Sequence, residues 1–227
     1  MVRAVPLHKL HNSHGAEEAP EAPSSEPWPI AYRDRGWASL DSEQKRERLL
    51  SAAGRVFTTQ GLDAPMPTVA AAAGAGVGSL YRHYPSKRDL LAALVVRRLA
   101  HLTVRTLAAC DQPGDRWSAF TGLLSGVVEA QGADDFLGQA WHQVSDHEDV
   151  AFANERCTAA IDLLLAQARD EGRLRPDASA TDIRLLFTAT RAAKQVEPHA
   201  RERMLTLLLD GLDLQRDQPL RERRCKR

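Results

Sequence analysis

From Leu40 to about residue 215 the apolar residues recur at three- and four-residue intervals, and only glycines and prolines interrupt that period. Such spacing puts the apolar side chains of each segment on one face of a helix, which must then be buried against another. No segment alternates β-branched with polar residues, and no Asn-Gly pair marks a hairpin. A chain patterned in this way folds as an all-α protein, and its breaks divide it into about nine helices.

The breaks can be read one by one. Asp41 is placed to cap a first helix, with Gln44 three residues on, and Leu49, Ala53, Val56 and Phe57 give that helix its buried face up to Gly61. A short second helix begins near Pro65–Pro67, since proline is tolerated in a first turn, and runs to Ala73. Gly74 allows a turn, and a third short helix follows from about Gly76 to Tyr84. Ser86 is a good N-cap for a long fourth helix reaching about Ala109, and Asp89 stands where a short acid assists the cap. Five more helices are expected at about 114–131, 134–145, 149–171, 179–194 and 198–215, separated by Pro113-Gly114, Gly132, Gly172 to Pro176, and Pro198.

The 227 residues are enough for two helical units, and with 43% hydrophobic residues each has material for a core. No apolar run approaches the ~18–20 residues that cross a bilayer, and residues 1–25 show no secretory pattern, so a cytoplasmic protein without a membrane segment is expected. Cys110, Cys157 and Cys225 lie far apart, which excludes a CxxC zinc site and a disulfide framework. Net charge is zero, but residues 39–101 hold 9 Lys and Arg against 5 Asp and Glu, net +4, whereas residues 102–218 hold 12 against 19, net −7. A basic unit is joined to an acidic one, although ordinary surface variation gives the same numbers. Residues 1–38, rich in Pro, Glu, Ala and Ser, are expected to be a disordered extension. Residues 216–227 form a basic tail. His8, His11 and His14 sit in that extension and read as adventitious rather than metal-binding.

The chemistry concentrates in Thr68-Val-Ala-Ala-Ala-Ala-Gly-Ala-Gly-Val-Gly-Ser-Leu-Tyr-Arg-His-Tyr-Pro-Ser-Lys87. Two short helices around a glycine turn form the geometry that sets the second helix in a DNA major groove. Ala70 and Ala73 permit close crossing, while Leu80 and Tyr84 share an inward face. Val77, Gly78, Ser79, Tyr81, Arg82 and His83 are left for the other faces, where hydroxyls, a guanidinium and an imidazole suit phosphates and base edges. Each also has a plainer reading: Tyr81 packing on the fourth helix, Arg82 paired with a carboxylate, His83 as a polar surface residue.

The run Arg46, Leu49-Leu50, Ala52-Ala53, Val56-Phe57, Gly61, then Val69-Ala70, Ala73-Gly74, then Gly78 to Lys87, resembles the N-terminal domain of tetracycline-repressor (TetR) family regulators, over roughly residues 42–100. The resemblance implies a helix-turn-helix at about 65–84, a C-terminal ligand-binding and dimerisation domain over 101–215, and a homodimer that binds a near-palindromic double-stranded DNA operator. It also implies phosphate contacts from Ser79, Tyr81 and Lys87, a family histidine at His83, and sequence readout at Val77, Gly78 and Arg82, with Arg46 and Thr68 beside them. Gly76 and Met66-Pro67 depart from the family by removing hydroxyls that commonly meet DNA, those of the second helix among them.

The remainder is less specific. Ile183, Leu186, Phe187 and Thr190, with Met204, Leu205, Leu208 and Leu212, give the last two helices apolar stripes suited either to a dimer seam or to the chain's own core. Trp117, Phe120, Leu124, Trp141, His142 and Phe152 suit an effector pocket of unknown chemistry, and core packing explains them equally well. His142, Asp146 and His147 read as a solvated loop rather than a metal site. No nucleophile elbow, phosphate loop or metalloprotease motif is present, so no enzyme and no cofactor are expected. The rival to a DNA-binding regulator, a repressor released by its effector, is a helical interaction protein that has lost DNA binding.

Overall fold

The computed structural model describes residue 32 and residues 34–130, 136–194, 197 and 199–216. The expected disordered extension and the basic tail lie largely outside the described residues. The last part of the extension is inside them: Trp37–Ser39 form a 3-10 turn, and Trp37 packs against the first core.

Nine α-helices follow among the described residues: α1 Ser42–Gln60, α2 Met66–Ala73, α3 Val77–His83, α4 Lys87–Asp111, α5 Arg116–Ala130, α6 Phe136–Val144, α7 Glu148–Asp170, α8 Ala180–Lys194 and α9 Ala200–Leu212. Both sequence-read caps close as reciprocal boxes. The Gln44 N–H donates to Asp41 Oδ1 (2.8 Å) and the Asp41 N–H to Gln44 Oε1 (3.2 Å). At α4 the Asp89 N–H donates to Ser86 Oγ (3.2 Å) and the Ser86 N–H to Asp89 Oδ2 (2.9 Å). Extended pairing among the described residues is one isolated bridge, Leu174 with Asp213, beside which Arg173 grips the Asp213 carboxylate with two nitrogens (3.2 and 2.8 Å). That grip ties the α7–α8 connection to the end of α9.

Two apolar cores divide the molecule. The first gathers Leu49, Phe57, Val69, Leu80, Tyr84, Leu90, Leu94 and their neighbours from α1–α4, and it also takes in Ala140, Val144 and Val150 from α6 and α7. The second gathers Phe120, Leu124, Leu164, Leu165, Ile183 and Leu205 from α5, α7, α8 and α9. α4 serves both, with Leu90–Val95 in the first core and Ala109 and Cys110 in the second.

The apolar stripes of α8 and α9 are not an outward seam. Ile183, Leu186, Thr190 and Leu205 are buried, three of them in the second core, and Phe187, Leu208 and Leu212 pack against that core. Both helices are apolar on more than one face, so the spacing could not say which face turns inward. The face left outward carries Leu185 (61% exposed) and Leu207 (57%).

Candidate nucleic-acid interface

α2 ends at Gly74, whose left-handed backbone (φ 66°, ψ 31°) is the conformation glycine adopts without strain. The Gly74 N–H donates to Ala71 O (3.0 Å) and the Ala75 N–H to Ala70 O (2.9 Å), which closes the helix and redirects the chain into α3. A side chain at Gly74 would also meet the Arg48 guanidinium, 3.0 Å from its Cβ position. Arg48 itself holds the segment before α1, donating to Tyr32 O (3.2 Å) and Arg35 O (2.6 Å). It therefore braces the helix-turn-helix from outside, a role no local sequence signal announces.

α3 is anchored by Leu80, fully buried, and by Tyr84 just past its end, 2% exposed. Burial pushes the Tyr84 phenol up to about 12, so it stays protonated, and its O–H reaches Arg46 O (3.5 Å). With those two facing in, α3 turns Val77 (40% exposed), Gly78, Tyr81 (44%) and Arg82 to solvent, with Ser79 half-buried at the edge. Tyr81 thus stands outward rather than against α4. Arg82 Nη2 donates to Ser79 Oγ (3.3 Å), which orients both along the exposed side. Gly76, the N-cap, offers no side-chain cap, in line with the loss of a hydroxyl there. Thr68 is half-buried in the first turn of α2, behind Pro65 and Pro67.

Cations surround this face. The Arg46 guanidinium lies 5.4 Å from the Tyr84 ring centroid, and Lys87 Nζ lies 5.7 Å from that of Phe57. Partial burial, then Arg46, Lys45 and Arg82, hold the His83 imidazole below its usual 6.5, so at neutral pH it is uncharged and donates from one nitrogen. Lys45, which sequence reading passed over, belongs to this cationic rim. The sign of the His83 effect gives an expected result. The stability tied to its depressed value is full only above 6.5: as pH falls below that the unfolded chain takes the proton more readily, and stability declines until the folded-state value is passed. A phosphate beside His83 would raise its value, so DNA affinity should strengthen as pH drops below 6.5, and His83→Gln should lose that part of the pH dependence. Identical pH profiles for the two proteins would remove His83 from the interface.

The base of α4 is fastened to the body. Arg88 Nη2 donates to Asp146 Oδ1 (2.6 Å) and its Nε to Gln143 O (3.3 Å), while His147 Nε2 faces Asp89 Oδ1 at 3.6 Å. Arg97 pairs with Glu47 and reaches Ser51 Oγ (3.4 Å), joining α4 to α1. These pairs lie far apart in the chain, and no short motif could have found them.

The residues read as an effector pocket do not line one common site. Trp117 (8% exposed), Phe120 (1%) and Leu124 (2%) are packed in the second core, with the Trp117 and Phe120 rings 5.5 Å apart. Trp141 packs against the first core, His142 is exposed, and Phe152, 62% exposed, lines an open groove. Clustering in sequence misled here because α5, α6 and α7 turn their aromatic residues toward different neighbours. Among the described residues no group of three or more His, Cys, Asp or Glu comes together that could hold a metal ion, and no helix is long and apolar enough to cross a membrane.

Residues 49–94 match the family model for bacterial regulatory proteins of the tetR family, and residues 112–214 match that for the C-terminal domain of SbtR-like transcriptional regulators. The chain belongs to the TetR family. A TetR transcription regulatory protein from Mycobacterium vanbaalenii is 26% identical, covering 74% of this chain and 95% of that one with a TM-score of 0.55. A TetR transcriptional regulator from Streptomyces coelicolor is also 26% identical, over 74% of this chain and 98% of that one, TM-score 0.56. SmeT, the repressor of the Stenotrophomonas maltophilia multidrug efflux pump SmeDEF, shares the fold at 22% identity over 78% and 97%, TM-score 0.55. No curated protein matches the chain. TetR regulators bind operator DNA as homodimers and respond to small molecules, and this chain is such a regulator, with its DNA-binding helices at the N-terminal end. The family and its structural neighbours are transcription regulators rather than enzymes.

Proposed function

We propose that the chain is a cytoplasmic repressor, without catalytic activity, that holds a near-palindromic operator through α3 and lets go when a small effector binds. In this reading residues 42–100 are the DNA-reading unit and 101–215 the effector and dimerisation unit. Ser79, Tyr81, His83 and Lys87 hold phosphates, Val77, Gly78 and Arg82 face base edges, and Arg46 and Thr68 flank them. The observation that carries it is the division of α3: Leu80 is locked in the core, while Val77, Gly78, Tyr81 and Arg82 share the exposed side. SmeT is a repressor, and RolR, similar in fold at 18% identity over 79% of this chain and 96% of that one with a TM-score of 0.54, was solved with resorcinol; this reading gives the chain both properties.

The dimer reading calls for α3 helices about 34–36 Å apart, one DNA turn, with Leu185 and Leu207 in the outward seam. The test is selection of an operator from random duplexes with the full chain, followed by variants. Lys87→Ala should weaken all duplexes alike and lower the salt slope by about one ion. Arg82→Ala should relax preference at one base position, at about 1–3 kcal/mol if its contact is bidentate. Failure to select any sequence would favour an interaction protein, and equal losses for Arg82→Ala on operator and random DNA would reassign Arg82 to the backbone.

A further inference from the structure

A cavity of about 920 Å³ opens between α1, α4 and α7, beside the end of α3. Its α4–α7 wall carries Val104 (66% exposed), Leu107 (41%) and Phe152 (62%), three large apolar side chains left to water in one groove. Such a patch on a soluble chain marks a place where something apolar binds. The volume falls in the range of small-molecule sites.

The polar groups of the lining say what kind of molecule. Glu47 is taken by Arg97 and Ser51, Asp89 by Ser86 and His147, and Asp149 lies 4.0 Å from His147. Glu43, in the first turn of α1, is the remaining carboxylate. Two guanidiniums meet only aromatic faces among the described residues: Arg46 over Tyr84, and Arg156, 6.0 Å from the Phe152 ring centroid. Arg156 is one helical turn from Phe152, so its cation stands at the edge of the apolar wall.

We propose that this groove binds an amphipathic small molecule, its apolar body against Val104, Leu107 and Phe152 and a single carboxylate against Arg156. The occupant would sit beside the DNA-reading unit, since Arg46 and His83 line the same space. Its bearing on DNA release rests on the function proposed above; its binding does not.

The probes are decanoate, decan-1-ol and decylamine, titrated calorimetrically into the full chain without DNA. Decanoate should bind at one site per chain and tightest of the three. Arg156→Gln should weaken decanoate by about tenfold or more, the worth of one charge-assisted hydrogen bond, and leave decan-1-ol unchanged. Phe152→Ser and Val104→Ser, at positions open to solvent, should weaken both by roughly threefold or more. Leu163→Ser, on an exposed apolar position of α7 elsewhere, should change nothing. Equal affinity for the three head groups, or Phe152→Ser and Val104→Ser binding as the parent does, would overturn the proposal. So would sedimentation showing that those two variants split an oligomer, because the face would then be covered by a second copy. Failure of the effector-free chain to select any operator, with decanoate binding intact, would sink the proposed function and leave this site standing.

Discussion

Replacing Leu80 by alanine should abolish DNA binding while leaving every outward side chain of α3 in place. Leu80 is fully buried in the first core, and a Leu→Ala change at such a site costs about 2–5 kcal/mol. In a chain of this size that lowers the thermal midpoint by roughly 4–20 °C. The effect on DNA should exceed the effect on the rest of the fold. α3 has seven residues and no side-chain cap, so its helicity depends on packing and not on intrinsic propensity. Arg82→Ala, on the exposed face, should leave the midpoint within about 2 °C, as surface changes do. Circular dichroism melts beside DNA titrations of both variants check the contrast. If Leu80→Ala melts normally and still binds, α3 is not held in the way described.

Phe120→Ala should be comparably damaging and in a different way. Phe120 is 1% exposed in the second core and packs against Trp117, over whose ring Arg173 lies at 5.2 Å. Removing the ring should cost about 3–5 kcal/mol, read as a lower urea midpoint for the whole chain with no selective loss of any ligand response. A Phe120→Ala protein of parental stability that no longer responded to an effector would return Phe120 to a pocket. Trp141→Ala should instead weaken the first core, and DNA binding with it.

Helices among the described residues were legible where residues with local physics bound them: Asp41 with Gln44, Ser86 with Asp89, Gly61, Gly74 and Gly172, while the breaks expected at Gly132 and Pro198 lie outside the described residues. The outward face of α3 was legible for the same reason, since Leu80 and Tyr84, four apart, had to face inward together. What was not legible depends on which face of an apolar helix meets which neighbour. Ile183 and Leu186 turned into the chain's own core, and Trp117 and Trp141 went to different cores, because α6 and α7 lend side chains to the N-terminal unit. The ties of Arg48 to Tyr32 and Arg35, and of Arg88 to Asp146, join positions that periodicity cannot relate. Lys45 was missed because its effect is a field on His83 rather than a contact.

The presence of Ala140, Val144 and Val150 in the first core bears on how such a chain can change over descent. A recombination that exchanged residues 42–100 for those of a relative would import a core with one wall missing. The new unit would have to match the grain of α6 and the start of α7 as well as its own helices. If α3 reads bases as proposed, operator preference can drift through Val77 and Arg82, whose side chains are exposed, but the unit that carries them is inherited together with the body it leans on.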